Sequence, residues 1–198
     1  MTLENARINN TDRPENSKIS GRFWLLWAAV SFPVLTAGIW LSFLVYSSTD
    51  SNLARAGLNA LIGAGIGGVQ ALLMHRRMPQ LLWWVLVSGA GWSLGFSLAD
   101  SLLLRFSGLA IGASLGFLQW LVLSSHLRRT GWWVLASALA WGLGWFLVAP
   151  VELSSNLANL TTILVIALFP AVIGGLAMAW LLAGGINPGP EKGSGGTV

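Results

Sequence analysis

Two glutamines stand inside otherwise apolar stretches of this sequence, and both follow the same glycine spacing. Gln70 ends the stretch "GAGIGGVQ" and Gln119 ends "GASLGFLQ", so that each completes the pattern G-x3-G-x2-Q. A primary amide donates and accepts hydrogen bonds but does not ionise near neutral pH. The chemistry predicted for these two positions is therefore neutral hydrogen bonding, either between helices or to a small solute.

Residue types that carry out catalysis or bind metals are scarce in the apolar parts of the chain. Cysteine is absent, and the two histidines, His75 and His126, lie beside arginines in polar connections. The acidic residues Asp50, Asp100 and Glu152 also lie between apolar blocks. Ionisable groups inside a membrane are functional candidates by default, and none lies at mid-depth. The sequence predicts no catalytic, metal-binding or cofactor-binding residue, and a protein that is not an enzyme.

The composition indicates an integral membrane protein. Of the 198 residues, 55% are hydrophobic and only 9% are charged, whereas soluble domains have roughly 25% charged residues. The net charge is +4, but the basic residues fall in short runs between apolar blocks. That distribution is typical of membrane topology signals, and we expect no nucleic-acid partner.

Six apolar blocks are long enough to cross a bilayer. A helix that rises about 1.5 Å per residue needs roughly 20 residues to cross about 30 Å of hydrocarbon. Lipid cannot satisfy backbone polar groups, so helices are expected. We therefore predict an all-α integral membrane protein whose transmembrane domain covers residues 22–183. The six transmembrane helices are expected at about 23–46, 53–74, 81–98, 102–123, 132–151 and 157–183.

The basic residues predict which end of each helix faces the cytoplasm. Nine of the eleven Lys and Arg lie in the two tails or in the second and fourth connections, which leaves Arg55 and Arg105 on the other side. By the positive-inside rule both termini are cytoplasmic, and we expect a multi-pass protein of the bacterial cytoplasmic (inner) membrane. The tails, residues 1–21 and 184–198, are polar or rich in Gly and Pro, and they are expected to be disordered.

The chain contains an internal repeat with a period of 49 residues. Residues 62–96 align with residues 111–145 without a gap, and 14 of the 35 aligned positions are identical. Each copy contains one helix that enters the membrane and one that leaves it, so the copies keep the same orientation. The sequence predicts parallel two-helix hairpin repeats.

A third, diverged copy is suggested by the shorter pattern W-x3-S-x6-G. The pattern begins in the first, third and fifth predicted spans, at Trp27, Trp84 and Trp133. If the first span takes the outgoing place, its partner is the sixth span, and three antiparallel pairs surround a pseudo-threefold axis. In the alignment we expect, Gly174 corresponds to Gly67, and Ala177 takes the place of the glutamine.

Folding each hairpin about its basic turn predicts that small residues meet at equal depth. Small side chains let helices approach closely in lipid, where no hydrophobic force drives association. The expected packing pairs are Gly67 with Gly91, Gly63 with Gly95, Gly116 with Ala140, and Gly112 with Gly144. The same folding brings Gln70 level with Ser88, and Gln119 level with Ser137.

Two interpretations of these polar positions follow. In the first, each glutamine bonds to the serine of its own hairpin, and the protein is a non-enzymatic structural or accessory protein that packs against itself or a membrane-protein partner. In the second, Gln70 and Gln119, with Trp92 or Trp141, line a central site of a small-solute transporter or membrane-embedded substrate-binding subunit. The packing interpretation is the one we expect, because it accounts for every repeated residue. The expected partners are the lipid bilayer and either a second copy of the chain or another membrane protein.

The tryptophans are expected at two depths. Trp92 and Trp141 lie about 13 Å further along their helices than the interface, near the membrane centre, where an indole N–H needs an acceptor. We expect both to pack against neighbouring helices. Tryptophans that follow basic segments are expected in an aromatic belt at the membrane surface. These are Trp24, Trp27, Trp83, Trp84, Trp132 and Trp133.

The repeated unit resembles a group of bacterial multi-pass membrane proteins to which no activity is attached. The resemblance rests on G-x3-G-x2-Q-(W)-L-x-L, a basic turn, and (G)-W-W-V-L-x-S-x3-W-x-L-G, and it covers residues 62–145. Ala71 departs from the pattern, which has Trp at that place. The resemblance implies a membrane fold and location but no reaction.

Overall fold

The computed structural model describes residues 16–75, 81–127, 129–148 and 156–183. These residues form six α-helices: α1 (Asn16–Ser48), α2 (Asn52–Met74), α3 (Leu81–Ala99), α4 (Leu104–Leu123), α5 (Gly131–Val148) and α6 (Asn156–Ala183). Each helix is long and apolar enough to span a bilayer. The prediction of an all-α membrane protein with six spanning helices is confirmed.

The helix limits differ from the prediction in two places. Helix α1 already begins at Asn16, so residues 16–21 are helical and do not belong to a disordered tail. A helix gains one hydrogen bond for each residue added to an existing turn, which lets it continue into a polar segment. Helix α4 begins at Leu104, after an extended Leu103. The remaining parts of the predicted tails and residues 149–151 of the fifth span lie outside the described residues.

The six helices form a closed ring in which each one contacts its two neighbours. Helix α6 packs against α1 as well as α5, as expected from the sequence, and α1 also packs against α2. Within the described ranges, helices that are not neighbours in the ring meet only through inward-pointing side chains, and their backbones do not approach closely. Because successive helices are antiparallel, Asn16 and Ala183 lie at the same end of the ring. We call this the terminal end, and the opposite one the far end.

Two apolar clusters fill the ring, one nearer each end. Every helix contributes to both clusters, because its inward side chains recur every four residues along one face. The terminal cluster is built around Trp27, Met74, Trp84, Leu123, Trp133 and Met178. The far cluster includes Leu35, Ile66, Trp92, Leu115, Trp141, Ile166 and Ala171.

At the far end, Arg55 closes the end of α1. Its Nε donates to the carbonyl oxygen of Thr49 at 2.7 Å, and its guanidinium donates to that of Tyr46 at 3.2 Å. The guanidinium also lies 4.9 Å from the centre of the Tyr46 ring. The last carbonyl groups of a helix have no partners within it, so Arg55 satisfies part of this end.

Candidate functional site

Between the two apolar clusters lies a layer of polar and small residues, one from each helix. Each member stands four residues from a residue of the terminal cluster on its own helix. We call it the polar layer, and its members are Ser31, Gln70, Ser88, Gln119, Ser137 and Gly174. The odd-numbered helices all contribute serine, and the even-numbered helices contribute two glutamines and one glycine. The layer lies within about 10 Å of the terminal end of α2 to α5, at 1.5 Å per residue.

A cavity of about 40 Å³ lies at the centre of the ring, and all six helices contribute to its wall. A cavity needs roughly 10–15 Å³ to hold one water molecule, so this volume accommodates two or three waters or a very small solute. The wall carries amide, hydroxyl and indole groups among apolar side chains. Its polar members are Gln70, Ser88, Gln119 and Ser137, and its tryptophans are Trp27, Trp92, Trp133 and Trp141.

Gln119 is held in place by two hydrogen bonds from opposite sides. Its Nε2 donates to Ser88 Oγ at 3.0 Å, and its Oε1 accepts from Trp133 Nε1 at 3.0 Å. The Gln119 side chain is 3% exposed. We call this arrangement the Gln119 bridge. It links α3, α4 and α5, and it satisfies an indole N–H that would be costly to bury alone.

Gln70 stands in the corresponding place of the first copy but makes different contacts. It is half-buried and lines the central cavity, and its side chain makes no hydrogen bond to another described residue. Two buried polar atoms of the first copy also have no hydrogen-bond partner among the described residues, Trp84 Nε1 and Ser31 Oγ. They correspond to Trp133 Nε1 and Ser88 Oγ, which bond to Gln119 in the second copy. The first copy therefore has its amide exposed to the cavity, where the second copy has it bridged.

The predicted pairing of each glutamine with the serine of its own hairpin is wrong. Gln119 bonds to Ser88 of the preceding hairpin, and not to Ser137. The reason is the depth at which the two helices of a hairpin meet. A Cβ built on Gly116 would lie 2.8 Å from Ser137 Cβ, so the glycine occupies the level that the prediction gave to Gln119.

The glycines of the repeated G-x3-G pattern in α2 and α4 form the seams within the hairpins, but their partners differ from those predicted. A Cβ on Gly67 would lie 2.5 Å from Ser88 Cβ, and one on Gly63 would lie 2.8 Å from the Ser88 carbonyl oxygen and closer still to Trp92. A Cβ on Gly112 would collide with the Ser137 carbonyl oxygen. The helices approach closely here because the glycines carry no side chain.

Three of the small residues of α3 and α5 that were expected to pack inside their own hairpin face the next helix pair, namely Gly91, Gly95 and Gly144. A Cβ on Gly91 would lie 2.9 Å from Leu115 Cα, and one on Gly95 would lie 2.7 Å from Ile111 Cα. A Cβ on Gly144 would lie 3.0 Å from Ile166 Cα, on α6. Pairing these glycines, and Ala140, with the glycines of their own hairpin was therefore wrong; Ala140 lines the cavity. One set of small residues joins helices within hairpins, and a second set joins hairpins to each other.

Trp92 and Trp141 both pack and line the cavity. Their rings meet edge to face, with 5.4 Å between centroids and 81° between planes, and together they close the cavity on the side of the far cluster. Trp92 Nε1 donates to Ser42 Oγ at 3.0 Å. The acceptor expected for this buried indole is thus supplied by α1.

Only part of the predicted aromatic belt faces outward. The side chains of Trp83 and Trp132 are 58% and 61% exposed, but Trp27, Trp84 and Trp133 are buried in the terminal cluster. Adjacent tryptophans on a helix point about 100° apart, so one of each Trp-Trp pair turns inward while the other faces lipid. The basic residues before each pair could not distinguish the two.

Sequence reasoning missed several buried polar residues, of which Ser42 and Asn59 are the most deeply buried. Ser42 is fully buried and accepts the Trp92 hydrogen bond, and Asn59 is 1% exposed with its Oδ1 unpartnered. An asparagine inside an apolar span is a recognisable signal, because polar side chains there favour the bundle interior. Ser42 gives no such signal, since many serines in this chain face outward.

No protein-family model, curated protein or solved structure in the comparisons matches the chain. The resemblance to bacterial multi-pass proteins and the orientation with cytoplasmic termini stay predictions.

Proposed function

We propose that the protein binds a small uncharged polar solute in its central cavity and facilitates the passage of that solute across the membrane. The observation that carries the proposal is the convergence of Gln70 and Gln119 on one cavity to which all six helices contribute. Polar groups cost free energy in an apolar environment unless they are hydrogen-bonded. An amide exposed to a central cavity is therefore well suited to a hydrogen-bonding solute.

The chemistry of the wall favours an uncharged solute. Its polar groups are two amides, two hydroxyls and the indoles of four tryptophans, and it contains no acidic or basic side chain. Moving an ion into such a site without a counter-charge costs far more than moving a neutral polar molecule. Since nothing in this wall titrates near neutral pH, the solute's own concentration gradient is the driving force we infer.

The aromatic residues on either side of the polar layer act as the barriers in this proposal. Trp84 and Trp133 pack on the terminal side with ring centroids 6.2 Å apart, and Trp92 and Trp141 pack on the far side at 5.4 Å. Passage requires these side chains to move in turn. A closed state with a small central cavity suits a slow, selective facilitator better than an open pore.

The structural or accessory role expected from the sequence has less support. It relied on glycine-rich faces that would pack against a partner. Gly63, Gly67, Gly95, Gly112 and Gly144 instead contact helices of the same chain. They account for how the ring closes, and they leave no glycine-rich seam free for another protein among these positions.

Solute flux in proteoliposomes tests the proposal. The full chain is reconstituted, and stopped-flow light scattering follows the recovery of vesicle volume in formamide, urea, glycerol and formate. Recovery faster than in protein-free vesicles is expected for at least one neutral solute, and no acceleration is expected for formate. Equal rates with and without protein for every neutral solute would refute the proposal.

A variant pair links any flux to the cavity. Gly174→Leu should fill the cavity, because a Cβ at this position meets nothing closer than 3.9 Å, and it should return the rate to that of protein-free vesicles. Gly65→Leu is the matched control, because Gly65 is exposed on the same bundle with nothing within 4 Å of its Cβ position. It should conduct like the unmodified chain.

A further inference from the structure

Each of the three tryptophans that begin the W-x3-S-x6-G pattern belongs to a set of three positions that also includes a glutamine position and a serine. The three sets differ in whether a glutamine is present and whether its hydrogen bonds are formed. In the second copy, Gln119 lies between the indole N–H of Trp133 and the hydroxyl of Ser88, and bonds to both at 3.0 Å. The tryptophan comes from the helix that follows the glutamine in its own hairpin. The serine comes from the preceding pair.

The first copy contains the same three residue types, a glutamine, a tryptophan and a serine, but no hydrogen bond joins them. A shift of 49 residues moves Gln119 to Gln70 and Trp133 to Trp84, and the serine of the preceding pair is Ser31. Among the described residues, only four buried side-chain N or O atoms have no hydrogen-bond partner, and Trp84 Nε1 and Ser31 Oγ are two of them. This supports the correspondence between the two copies, because an amide of Gln70 placed as in Gln119 would bond to both atoms.

The third copy lacks the glutamine. The seams between hairpins fix its register, since Gly95 approaches Ile111 and Gly144 approaches Ile166 in the same way. Ile111 precedes Gln119 by the same distance along the chain as Ile166 precedes Gly174. Gly174 therefore stands where the amide belongs, which corrects the expected alignment of Gly174 with Gly67.

The other two members of the third trio are present and face the vacant position. They are Trp27, from α1, and Ser137, from α5, and both line the central cavity together with Gly174. A Cβ built on Gly174 would lie 4.0 Å from Trp27 Nε1. Ser137 is 8% exposed, and neither the Trp27 indole nitrogen nor the Ser137 hydroxyl bonds to a described residue.

We infer that the cavity binds a small neutral carboxamide or urea, which takes the place of the missing third glutamine side chain. The ligand carbonyl accepts from Trp27 Nε1, and its N–H group donates to Ser137 Oγ, as the Gln119 amide does with Trp133 and Ser88. Gln70 adds a second amide at the wall, and two primary amides are complementary in donors and acceptors. The volume of about 40 Å³ restricts the ligand to the smallest members of this class, such as formamide and urea. This inference rests on the proposed function and names its solute class.

Thermal unfolding of the purified full chain in detergent tests the inference without measuring flux. A ligand that binds the folded state raises the unfolding midpoint in a concentration-dependent manner. Formamide should raise the midpoint of the unmodified chain with saturation. Formate, which has the same shape but carries a charge and lacks the N–H donors, should not. Equal responses to the two compounds, or no response to formamide, would overturn the inference.

The Gly174→Gln variant supplies the missing side chain covalently. It should raise the midpoint in the absence of ligand and abolish the further rise with formamide. Gly65→Gln is the matched control, because it brings the same gain in helix propensity at an exposed position and should keep the full formamide response. A Gly174→Gln variant that still responds to formamide as the unmodified chain does would show that the amide binds elsewhere.

The two proposals fail separately. If proteoliposomes pass glycerol or water but formamide neither permeates nor shifts the midpoint, the carboxamide inference is wrong and the neutral-solute facilitator stands. If formamide shifts the midpoint and Gly174→Gln abolishes that shift while no solute passes, the binding site stands and facilitated passage is wrong.

Discussion

The α2–α3 hairpin and the α4–α5 hairpin repeat one plan, but their glutamines make different contacts. Gln119 is 3% exposed and bridges two helices, whereas Gln70 is half-buried at the cavity wall with no side-chain hydrogen bond to a described residue. The two glutamines share the spacing G-x3-G-x2-Q, but Val69 and Ala71 flank the first and Leu118 and Trp120 flank the second. The preceding helix pair also behaves differently: Ser88 bonds to Gln119, whereas Ser31, at the corresponding place before Gln70, has no hydrogen-bond partner among the described residues.

This difference shows how a repeated hairpin acquires two roles. The glycine seam inside each hairpin sets the depth of the glutamine, and a bridged amide also needs a partner from its own hairpin and one from the preceding helix pair. Around the ring, one amide is bridged, one faces the cavity and one is replaced by glycine. A symmetric protein with three bridges would hold no central vacancy. The departures from symmetry are the features on which the proposed binding site rests.

A bulky substitution in the glycine seam within a hairpin should cause the largest loss of unfolding free energy. Gly112→Leu places a side chain against the Ser137 carbonyl oxygen and 2.8 Å from Ala138 Cα, and backbone atoms cannot yield as a flexible side chain does. We expect a loss of about 3 kcal/mol in unfolding free energy, measured by SDS titration in mixed micelles. Gly65→Leu, at an exposed position, should show no such loss. Equal losses in the two variants would argue against the seam.

Replacing each glutamine with leucine should lower the unfolding free energy by different amounts in the two copies. Gln119→Leu leaves Trp133 Nε1 and Ser88 Oγ unpaired in a buried layer and should cost about 1–2 kcal/mol in the same titration. Gln70→Leu removes no hydrogen bond between described residues, so its cost should be clearly smaller. If Gln70→Leu is as destabilising as Gln119→Leu, both amides are bridged in solution, and the difference between the copies disappears.

An asymmetric contact at the far end should have an intermediate effect. Arg55 belongs to the first copy only, since the second has Leu104 at the corresponding place. Its side chain is 21% exposed and bonds to two backbone carbonyls of the α1 end. Arg55→Gln should cost about 1 kcal/mol.

The ion pair of Arg55 is the control for that prediction. The carboxylate of Asp50 lies 3.6 Å from the guanidinium and is fully exposed, so the bond is screened by solvent. Asp50→Asn should leave the unfolding titration unchanged, and a loss as large as that of Arg55→Gln would make the ion pair, and not the carbonyl bonds, the source of stability.

The number, type and order of the elements could be predicted because lipid imposes them. A run of about 20 apolar residues has few alternatives to a spanning helix, and the repeat of 49 residues identified the hairpins. The depth at which two helices meet could not be predicted in the same way. Gly67 meets Ser88 and not Gly91, a shift of about one helical turn, which the sequence of a turn does not specify.

The contacts between hairpins could not be predicted from the sequence either. Gly95 belongs to a clear small-residue pattern, but nothing in that pattern says whether it faces α2 or α4. Only the approach of Gly95 to Ile111, and of Gly144 to Ile166, identifies Gly174 as the third glutamine position. The proposed site depends on Gly174, which stands where a glutamine would complete the third copy. A glycine in that place leaves no motif to recognise.

The smallest expected effect distinguishes the buried tryptophans of the two copies, Trp92 and Trp141. Trp92 donates to Ser42 at 3.0 Å, while its repeat counterpart Trp141 packs edge-on against it and its indole nitrogen bonds to no described residue. Trp92→Phe and Ser42→Ala, alone and together, form a double-mutant cycle in the SDS titration. The coupling should be about 0.6 kcal/mol, the average for hydrogen bonds between membrane helices. Trp141→Phe with Ser42→Ala should show no coupling, because that pair shares no bond. A coupling in the second cycle as large as in the first would mean that the two indoles respond to the serine through packing. The hydrogen bond would then not be what distinguishes Trp92 from Trp141.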